Sequence, residues 1–368
     1  MGGERMKKEM LDFKLLFEPF FEEVLVALAN SAKEEKKPES FILIIDQIKR
    51  LCSLSGAKRL RPFLVYLGYS LYRDIKLISQ SELNSILQTG SSLEIFHTSA
   101  LIYDDIIDQS DLRRGEPTIE AFYREKFRKE GKENYNHSAM SATILGGIMS
   151  HSLADQQINK VNNSEVRKFY YEMQYELISG QADDTLGVGT SDLEDLKVES
   201  IIKMMVAKSG NYSIQKPLLF GLKLANCPED SELYKTIELV GYKSGLLFQL
   251  VDDIIGLFES QEGIGKSNIT DILEGKRTLL VQKLYTDSSS EDRLKIISIL
   301  GNPNALDTEI EWFKNQIIKS GTLEYYNQYA QKLAQESILL TQGLKNNVNN
   351  NSLEVLDALI NYLIKRTK

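Results

Sequence analysis

The stretch Ser99-Ala-Leu-Ile-Tyr-Asp-Asp-Ile-Ile-Asp108 places three aspartates directly after an apolar run. On a helix, Asp104 and Asp108 project from the same face, one turn apart, because they are four residues apart. Like charges stacked in this way destabilise an isolated helix by about 0.2–0.5 kcal/mol. We therefore expect a cation to compensate them, the alternative being a hydrated helix end.

A second aspartate pair follows the same kind of apolar run in Phe248-Gln-Leu-Val-Asp-Asp-Ile-Ile255. If the two helices face each other in a bundle, their carboxylates can bridge divalent ions across a cavity. Mg²⁺ is usually held by a few carboxylates together with substrate phosphate and water. The two motifs together therefore predict a site for Mg²⁺ and a diphosphate.

The rest of the chain is predicted to be helical. None of its seven prolines lies between Pro117 and Pro217, and apolar residues recur at three- and four-residue spacing. Alternating strand patterns are absent, as are repeats of about 20–50 residues. We predict an all-α fold in a single domain over residues 1–368. The predicted helices span residues 11–32, 60–72, 83–107, 141–159, 166–178, 193–225, 232–258, 279–285, 307–319 and 322–343.

Three segments are predicted to be mobile, near residues 1–10, 124–137 and 346–352. The second is dense in Lys, Arg, Glu and Asn, and the third is nearly pure Asn. Such compositions are typical of loops. The simplest interpretation of both is a solvated insert without a function.

The composition excludes several classes of protein. With 44 basic and 52 acidic residues the formal charge is −8, which argues against a general nucleic-acid binder. Cys52 and Cys227 have no metal-ligand spacing, so neither a disulfide framework nor a thiolate zinc site is expected. The three histidines, His97, His137 and His151, are scattered. Carboxylates remain as metal ligands, which favours a hard cation such as Mg²⁺.

The sequence also bears on location. No run approaches the roughly 18 uninterrupted apolar residues of a membrane span. Residues 1–11 lack the apolar core of a signal peptide. We expect a cytoplasmic protein without a transmembrane segment, which would meet a membrane only through a lipid-like substrate.

Several basic residues are candidates for binding the diphosphate that the two aspartate motifs predict. Arginine suits this task because its guanidinium forms paired hydrogen bonds with phosphate. Taken singly, each of these residues is better explained as a surface cation. A P-loop is excluded, since GxxxxGK followed by Ser or Thr is absent. The candidates are the segment Gly56 to Pro62, Arg113 and Arg114, and Lys208, Lys266 and Lys276.

Together these segments resemble the trans-isoprenyl diphosphate synthases, the family of farnesyl and geranylgeranyl diphosphate synthases. The resemblance covers nearly the whole chain, and the motifs agree in both order and spacing. They are Gly56 to Pro62 for GGKRxRP, Asp104 to Gly115 for DDxxD followed by LRRG, Gly180-Gln181 with Asp184 for GQxxD, Lys208-Ser209 with Pro217 for the KT motif, and Phe248 to Asp253 for FQxxDD.

The resemblance implies a fold and a metal site. The fold would be an isoprenoid synthase bundle of helices around a deep central cavity, with the two aspartate motifs facing each other, and the protein would be a homodimer. Three Mg²⁺ ions are implied in each active site. Asp104 and Asp108 would hold two of them and Asp252 the third, with Asp105, Asp184 and Asp253 in support.

The resemblance also implies a reaction, the head-to-tail condensation of isopentenyl diphosphate with dimethylallyl, geranyl or farnesyl diphosphate. Loss of the allylic diphosphate leaves a cation, which the isopentenyl double bond attacks, and a proton passes to the released diphosphate. Preplaced cations stabilise the charge of the leaving group. Arg113, Lys208 and Lys266 would hold the allylic diphosphate; Lys58, Arg61, His97 and Arg114 the isopentenyl diphosphate; Gln181 and Gln249 would line the reacting centre; Lys276 is a further candidate for substrate binding.

The chain departs from the family pattern at four positions. Gly256 stands where the second motif would have its last aspartate, a change that geranylgeranyl-forming relatives tolerate. Ala57 replaces a glycine, Ser209 a threonine, and Gly147 the aspartate of a GD pair. We interpret all four as mild. The charged insert after Pro117 has no counterpart in a minimal family member.

Product length is predicted from the residues one turn before Asp104. Farnesyl-forming relatives carry bulky aromatics at the fourth and fifth residues before the first aspartate, whereas this chain has Ala100 and Ser99. Side chains this small leave a cavity open, which predicts products of C20 or longer. The alternatives are that they only permit close helix packing, or that another wall such as Tyr103 closes the tunnel.

Two other classes of protein remain as alternatives. A class I terpene cyclase shares the aspartate-rich helix, but its second metal motif is of the NSE type, where this chain has Asp252-Asp253. A non-catalytic subunit of a heteromeric prenyltransferase usually lacks the first aspartate motif, which is retained here.

The basic end, Ile364 to Lys368, resembles the tail that closes over the site in eukaryotic farnesyl diphosphate synthases, and a frayed cationic end explains it equally well.

Overall fold

Helices make up almost all of the regular structure, which confirms the all-α prediction. The computed structural model describes residues 2–54, 57–258, 270–344 and 348–365. Short 3₁₀ turns lie at Ile75–Leu77 and Val188–Thr190, and a π-helix at Val206–Gln215. The α-helices are α1 (Gly2–Glu34), α2 (Glu39–Cys52), α3 (Leu60–Tyr72), α4 (Gln80–Ile107), α5 (Ile119–Lys129), α6 (Tyr135–Asn159), α7 (Ser164–Leu186), α8 (Val198–Met205), α9 (Lys216–Leu224), α10 (Glu232–Phe258), α11 (Thr270–Leu273), α12 (Leu279–Asp287), α13 (Ser290–Ile299), α14 (Asp307–Lys319), α15 (Thr322–Gly343) and α16 (Asn350–Lys365).

One apolar core connects the two ends of the described chain. It contains Met6 of α1 and Leu363 of α16 and continues through the helices between them. The single domain over residues 1–368 stays a prediction. The deep central cavity stays a prediction.

Several helices lie where none was predicted. In α2, Ile45, Ile48 and Leu51 are buried at three-residue spacing, a pattern that the prediction overlooked. Helix α16 begins at Asn350, inside the loop predicted over 346–352, because an apolar stripe starts at Leu353. Residues 345–347 and 366–368, the latter at the end of the basic tail, lie outside the described residues.

The first ten residues, predicted to be mobile, belong to α1 from Gly2 onward. Met6 is buried in the core, and Nη1 of Arg5 lies 2.5 Å from Oε2 of Glu354 in α16. The start of the chain is therefore packed against its end. Its mobility stays a prediction.

The loop predicted over residues 124–137 is largely wrong. Helix α5 continues to Lys129 and α6 begins at Tyr135, which leaves residues 130–134 between them. The charges that suggested a loop pair with one another along α5, and such i,i+3 and i,i+4 pairs stabilise a helix. The pairs are Glu125 with Arg128 (2.9 Å) and Lys129 (3.3 Å), and Lys126 with Glu130 (2.5 Å).

One pair of short strands departs from the purely helical prediction. Strands β1 (Leu112–Arg113) and β2 (Glu116–Pro117) are antiparallel. Between them Arg114 and Gly115 have φ values of 55° and 78°. A type I′ hairpin turn requires such left-handed values at both central positions. The hairpin follows α4 directly and returns Arg113 to the end of that helix.

Helix α4, which carries the first aspartate motif, lies in the centre of the bundle. Residues 89–96 are all buried. Oγ of Ser92 donates to the carbonyl oxygen of Ala154 in α6 at 2.8 Å, and Oγ of Ser150 in α6 donates to that of Ile95 at 3.0 Å. These bonds fix the register of α4 against α6 and thereby the position of the motif at its end.

The helix predicted over 193–225 consists of α8, the π-helix and α9. The π-helix is held tightly by neighbouring backbone. A Cβ on Gly180 of α7 would lie 2.2 Å from the backbone nitrogen of Lys208, and one on Gly210 would lie 2.9 Å from the carbonyl carbon of Gly245 in α10. Only glycine, which has a hydrogen in place of Cβ, fits at both contacts. The backbone at Lys208 is therefore clamped by the backbone of neighbouring helices. Short π-helical stretches inside α-helices are frequent at functional sites.

Gly221→Ala should destabilise the fold, because α3 and α9 touch through their backbones. A Cβ at position 221 would lie 2.2 Å from the carbonyl oxygen of Val65 and 2.3 Å from the backbone nitrogen of Tyr69. We expect the free energy of unfolding in urea to fall by about 1–3 kcal/mol. Gly343→Ala is the control, because, apart from the backbone of α15 itself, the described residues place no heavy atom within 4 Å of its Cβ. Equal effects of the two substitutions would contradict this view of the α3–α9 contact.

Candidate active site

The first aspartate motif lies at the C-terminal end of α4, beside the hairpin. Nη2 of Arg113 donates to Oδ2 of Asp104 at 3.0 Å, and its Nε donates to Oδ1 of Asp105 at 3.0 Å. Burial alone would lower the pKa of Arg113, but Asp105 and Asp104 outweigh it and leave that pKa above its ordinary value. A charged guanidinium is thus held against both carboxylates.

Lys208 of the π-helix joins α4 to α7. Its Nζ donates to Oδ2 of Asp184 at 2.6 Å and lies 3.9 Å from Oδ1 of Asp104. Burial opposes the charge of Lys208, yet Asp184 and Asp104 raise its pKa. Gln181, predicted to line the reacting centre, is partly buried on α7, three residues before Asp184. Asp104 therefore lies between two cations, Arg113 and Lys208, both predicted to bind a diphosphate.

Lys276, which follows α11, is the third cation of the site. Its Nζ lies 2.9 Å from Oδ1 of Asp271, 2.9 Å from Oε2 of Glu274 and 3.5 Å from Oδ2 of Asp108. Burial would lower the pKa of Lys276, but the three carboxylates, Asp271 first, raise it well above its ordinary value. Neither Asp271 nor Glu274 was among the site residues predicted from the sequence.

The second aspartate motif lies near the C-terminal end of α10. Asp252 is half-buried and Asp253 is buried. Nε2 of Gln249 donates to Oδ1 of Asp253 at 2.8 Å. Burial raises the pKa of Asp253 to about 8, and the neighbouring charge of Asp271 adds to this effect. The surroundings of Asp253 therefore disfavour the charged form of its carboxyl group.

Lys276 brings the two motifs into one site. It contacts Asp108 of the first motif, and its charge lowers the pKa of Asp253 of the second. Among the predicted site residues, Lys266 lies outside the described residues, in the gap between α10 and α11.

The carboxylates of this site fit a hard divalent cation. Mg²⁺ takes oxygen ligands, and the high pKa of Asp253 marks an environment that a further positive charge would relieve. Within the described ranges no three His, Cys, Asp or Glu side chains already form a group that could hold a metal ion. The carboxylates of the first motif instead form ion pairs with the three cations named above. The residues that would hold the ions are Asp104, Asp108 and Asp252.

A basic cluster lies further back along α4, around His97. Nη2 of Arg61 donates to Oγ of Ser213 at 2.7 Å, and its guanidinium lies 4.4 Å from the ring centroid of Tyr212. Nδ1 of His97 lies 3.1 Å from the hydroxyl of Tyr212. Burial first, and then Arg61 and Arg114, lower the pKa of His97 well below its ordinary value. His97 is therefore a neutral group in a positive environment.

Lys58 lies at the entrance to α3 and is exposed. Its Nζ donates to the hydroxyl of Tyr362 in α16 at 3.0 Å and lies 5.5 Å from the ring centroid. The last helix of the chain thus contacts one of the residues predicted to bind isopentenyl diphosphate.

Arg59 was missed as a site residue, because the sequence analysis treated it only as part of the basic motif. Its backbone is left-handed, with φ of 52°, and its side chain is buried. Nη1 donates to Oε2 of buried Glu94 at 2.9 Å, and Nε donates to Oε1 of Glu18 at 3.0 Å. Arg59 therefore anchors the segment that presents Lys58 and Arg61. The sequence feature that could have indicated this role is Glu94. It is an acidic residue three before His97, on an otherwise apolar and small-residue stretch of α4.

The residues predicted to set product length lie where α4 meets α6. Oγ of Ser99 donates to the carbonyl oxygen of Gly147 at 3.1 Å, so this side chain points to α6 and is buried. Ala100 is partly exposed. A Cβ on Gly147 would lie 2.6 Å from Cζ of Tyr103. Gly147 is thus more than the mild departure we predicted, because it makes room for the Tyr103 ring.

The sequence is similar to those of known proteins. The sequence model of the polyprenyl synthetase family matches residues 44–317. The geranylgeranyl diphosphate synthase of Saccharolobus solfataricus is 28% identical over 327 residues, which cover 85% of this chain and 88% of the relative. The geranylfarnesyl diphosphate synthase of Aeropyrum pernix is 27% identical over 316 residues, covering 85% and 92%.

A solved structure is similar over nearly its full length. It is the geranylgeranyl pyrophosphate synthase from Corynebacterium glutamicum, complexed with isoprenyl diphosphate and magnesium. The TM-score is 0.84 at 25% identity, and the match covers 95% of this chain and 98% of that one.

Among the described residues, none of the helices has the length and apolarity needed to cross a membrane.

Arg59→Gln should destabilise the protein strongly, because it leaves Glu94 buried without its ion-pair partner. Removing one member of a buried pair costs about 3–5 kcal/mol, so we expect a loss of this order in urea unfolding. The control is Arg124→Gln, whose pairs with Asp111 and Glu120 lie nearer the surface. Surface pairs contribute about 0–1 kcal/mol. A similar, small effect of both substitutions would contradict the anchoring role of Arg59.

Proposed function

Because the chain belongs to the polyprenyl synthetase family and is a prenyltransferase that elongates isoprenyl diphosphates, we propose that it makes products of C20 or longer in a Mg²⁺-dependent reaction. It joins isopentenyl diphosphate head-to-tail to the allylic dimethylallyl, geranyl and farnesyl diphosphates. The protein works in the cytoplasm.

The observation that carries this proposal is that two clusters of charged residues lie along α4. His97 and Asp104 are seven residues apart, so they share a face of the helix, about 10 Å apart along its axis. The basic cluster surrounds His97, and carboxylates interleaved with cations surround Asp104. One diphosphate would bind directly to guanidinium groups, and the other would bind together with Mg²⁺. The carbon atoms of the two substrates can then meet between them.

The allylic diphosphate binds at the Asp104 end. Arg113 and Lys208 turn donors toward its oxygens and stabilise the negative charge that develops as the carbon–oxygen bond breaks. Mg²⁺, when bound by Asp104, Asp108 and Asp252, supplies further neutralisation of the leaving group. Arg113 and Lys208 are preplaced for this, since each is already held against a carboxylate.

Isopentenyl diphosphate binds at the His97 end. Lys58, Arg61 and Arg114 supply positive charge, and Nε of Arg61 is buried without a hydrogen-bond partner among the described residues. Such a donor is satisfied when an anion arrives. His97 is uncharged, so it orients the diphosphate by hydrogen bonding and adds no charge. The proton lost after bond formation passes to the diphosphate released at the other end.

Product length depends on the space beneath Asp104. Ser99 is tied to α6, so Ala100 is the small residue that can leave the cavity open. Tyr103, whose ring occupies the space left by Gly147 at the α4–α6 contact, would be the next wall for a growing chain. This arrangement favours products beyond C15.

A homodimer would be completed by the outer face of α6. Ile144, Leu145 and Ile148 are 40%, 54% and 52% exposed and form one apolar stripe at positions i, i+1 and i+4. A stripe of this kind on a central helix favours contact with another protein surface. A second copy of the chain would place the same stripe against itself.

Condensation is tested with purified protein, radiolabelled isopentenyl diphosphate and each of the three allylic primers. We expect Mg²⁺-dependent product of C20 or longer from at least one primer, and none when a chelator removes the metal. Chromatography of the dephosphorylated products gives their length. Absence of condensation with every primer would refute the proposal and would favour a non-catalytic subunit.

Ala100→Phe should shorten the product toward C15, because an aromatic ring at this position fills the space past Asp104. Ser99→Phe is the comparison, since its side chain points into the α4–α6 contact and should lower stability as well. The double substitution should also give C15. Unchanged product length in Ala100→Phe with an intact fold would show that another wall sets the length.

Ile148→Glu should weaken the dimer, because it places a charge in the middle of the α6 stripe. Sedimentation velocity should show a shift toward monomer. Leu294→Glu is a matched control, since this residue of α13 is 71% exposed and lies outside the stripe. A wild-type monomer, or an equal response of both variants, would refute the dimer surface.

A further inference from the structure

The second aspartate motif ends at Gly256 on α10. Position 256 lies four residues after Asp252, so a side chain there would project from the same face, one turn further on. An aspartate at this position would add a third carboxylate to the motif. This chain has none there.

The space for such a side chain is taken by Asp271. A Cβ built on Gly256 would lie 2.9 Å from Oδ2 of Asp271 and 3.9 Å from its Cγ. Apart from α10 itself, the described residues place no other heavy atom within 4 Å of this Cβ. A carboxylate from another segment therefore lies where the missing side chain would begin.

Local structure holds Asp271 in this place. The next residue, Ile272, is fully buried, and its carbonyl oxygen accepts a hydrogen bond from the backbone nitrogen of Gly301 at 2.8 Å. The carbonyl oxygen of Asp271 accepts one from the backbone nitrogen of Lys276 at 3.0 Å. The carboxylate is thus presented by an anchored turn.

The two oxygens of Asp271 face different partners. Oδ2 faces α10 at Gly256, whereas Oδ1 accepts a hydrogen bond from Nζ of Lys276 at 2.9 Å. The same Nζ lies 3.5 Å from Oδ2 of Asp108. Asp271 therefore connects the second motif, through Lys276, to the first.

We infer that Asp271 replaces the missing aspartate of the second motif as a positioning residue of the metal and diphosphate site. Mg²⁺ keeps several of its waters in proteins, and carboxylates around the ligands hold those waters in place. Asp271 supplies this charge at Gly256, one turn along α10 from Asp252, and at the same time directs Lys276 toward Asp108. The inference rests on the proposed function only in taking Mg²⁺ and a diphosphate as the ligands.

Transferring the carboxylate from position 271 to position 256 on α10 tests the inference. The variants are Asp271→Ala, Gly256→Asp and the double substitution. The readout is the Mg²⁺ concentration that gives half of the rise in melting temperature at saturating inorganic pyrophosphate. Asp271→Ala should raise this concentration by about 10–100-fold, the usual effect of losing a partner of metal ligands. Gly256→Asp alone should lower the melting temperature without metal, since two carboxylates then compete for one space.

The double variant is decisive. It should need Mg²⁺ within about threefold of wild type, because its two changes compensate each other as coupled neighbours do. Asp287→Ala, which breaks the pair with Lys283 on α12, should change nothing. If Asp271→Ala does not fold, Asp271→Asn keeps the shape and removes the charge, with the same expected rise.

Three outcomes would overturn the inference: no change in the Mg²⁺ requirement of Asp271→Ala, no rescue by the double variant, or no stabilisation of wild type by Mg²⁺ and pyrophosphate. The titration requires no condensation. A wild-type protein that binds both ligands but forms no product would therefore refute the proposed function and leave this inference standing.

Discussion

The structure depends on the negative charge at the C-terminal end of α4. Three aspartates end a helix whose preceding turns are buried, and the helix dipole already makes this end negative. Carboxylates placed there are unfavourable unless cations compensate them. Three separate segments supply those cations: the hairpin with Arg113, the π-helix with Lys208 and the turn after α11 with Lys276. The bundle brings these segments together at one point, which is also where a diphosphate and its metal ions would bind.

Close helix packing makes this convergence possible. Serines and glycines between α4 and α6, and glycines around the π-helix, bring backbones together where larger side chains would hold them apart. Because the backbone on both sides of Lys208 is clamped, the point from which its side chain extends toward Asp104 is fixed. The site is therefore organised before any ligand arrives, which limits the reorganisation that charge separation would otherwise require.

The sequence predicts the charged residues of the site better than it predicts the backbone structure that positions them. Asp104, Arg113 and Lys208 follow from motif order, and the structure brings them together. The π-helix has no such signal, since it results from backbone contacts at Gly180 and Gly210 that depend on distant helices. Composition was misleading for α5, where paired charges stabilise a helix. Asp271 was not predicted as a site residue, because it is separated in the sequence from the second aspartate motif, next to which it lies in the structure.

The central claim is that the carboxylates of α4, which now pair with Arg113, Lys208 and Lys276, hold metal ions together with Asp252 of α10 when a diphosphate binds. A crystal structure with Mg²⁺ and a non-reactive thiolo analogue of an allylic diphosphate tests this most directly. The account predicts that Asp104, Asp108 and Asp252 hold metal ions beside the diphosphate, with Arg113 and Lys208 donating to its oxygens. A diphosphate bound elsewhere, or bound there without metal at these aspartates, would contradict it.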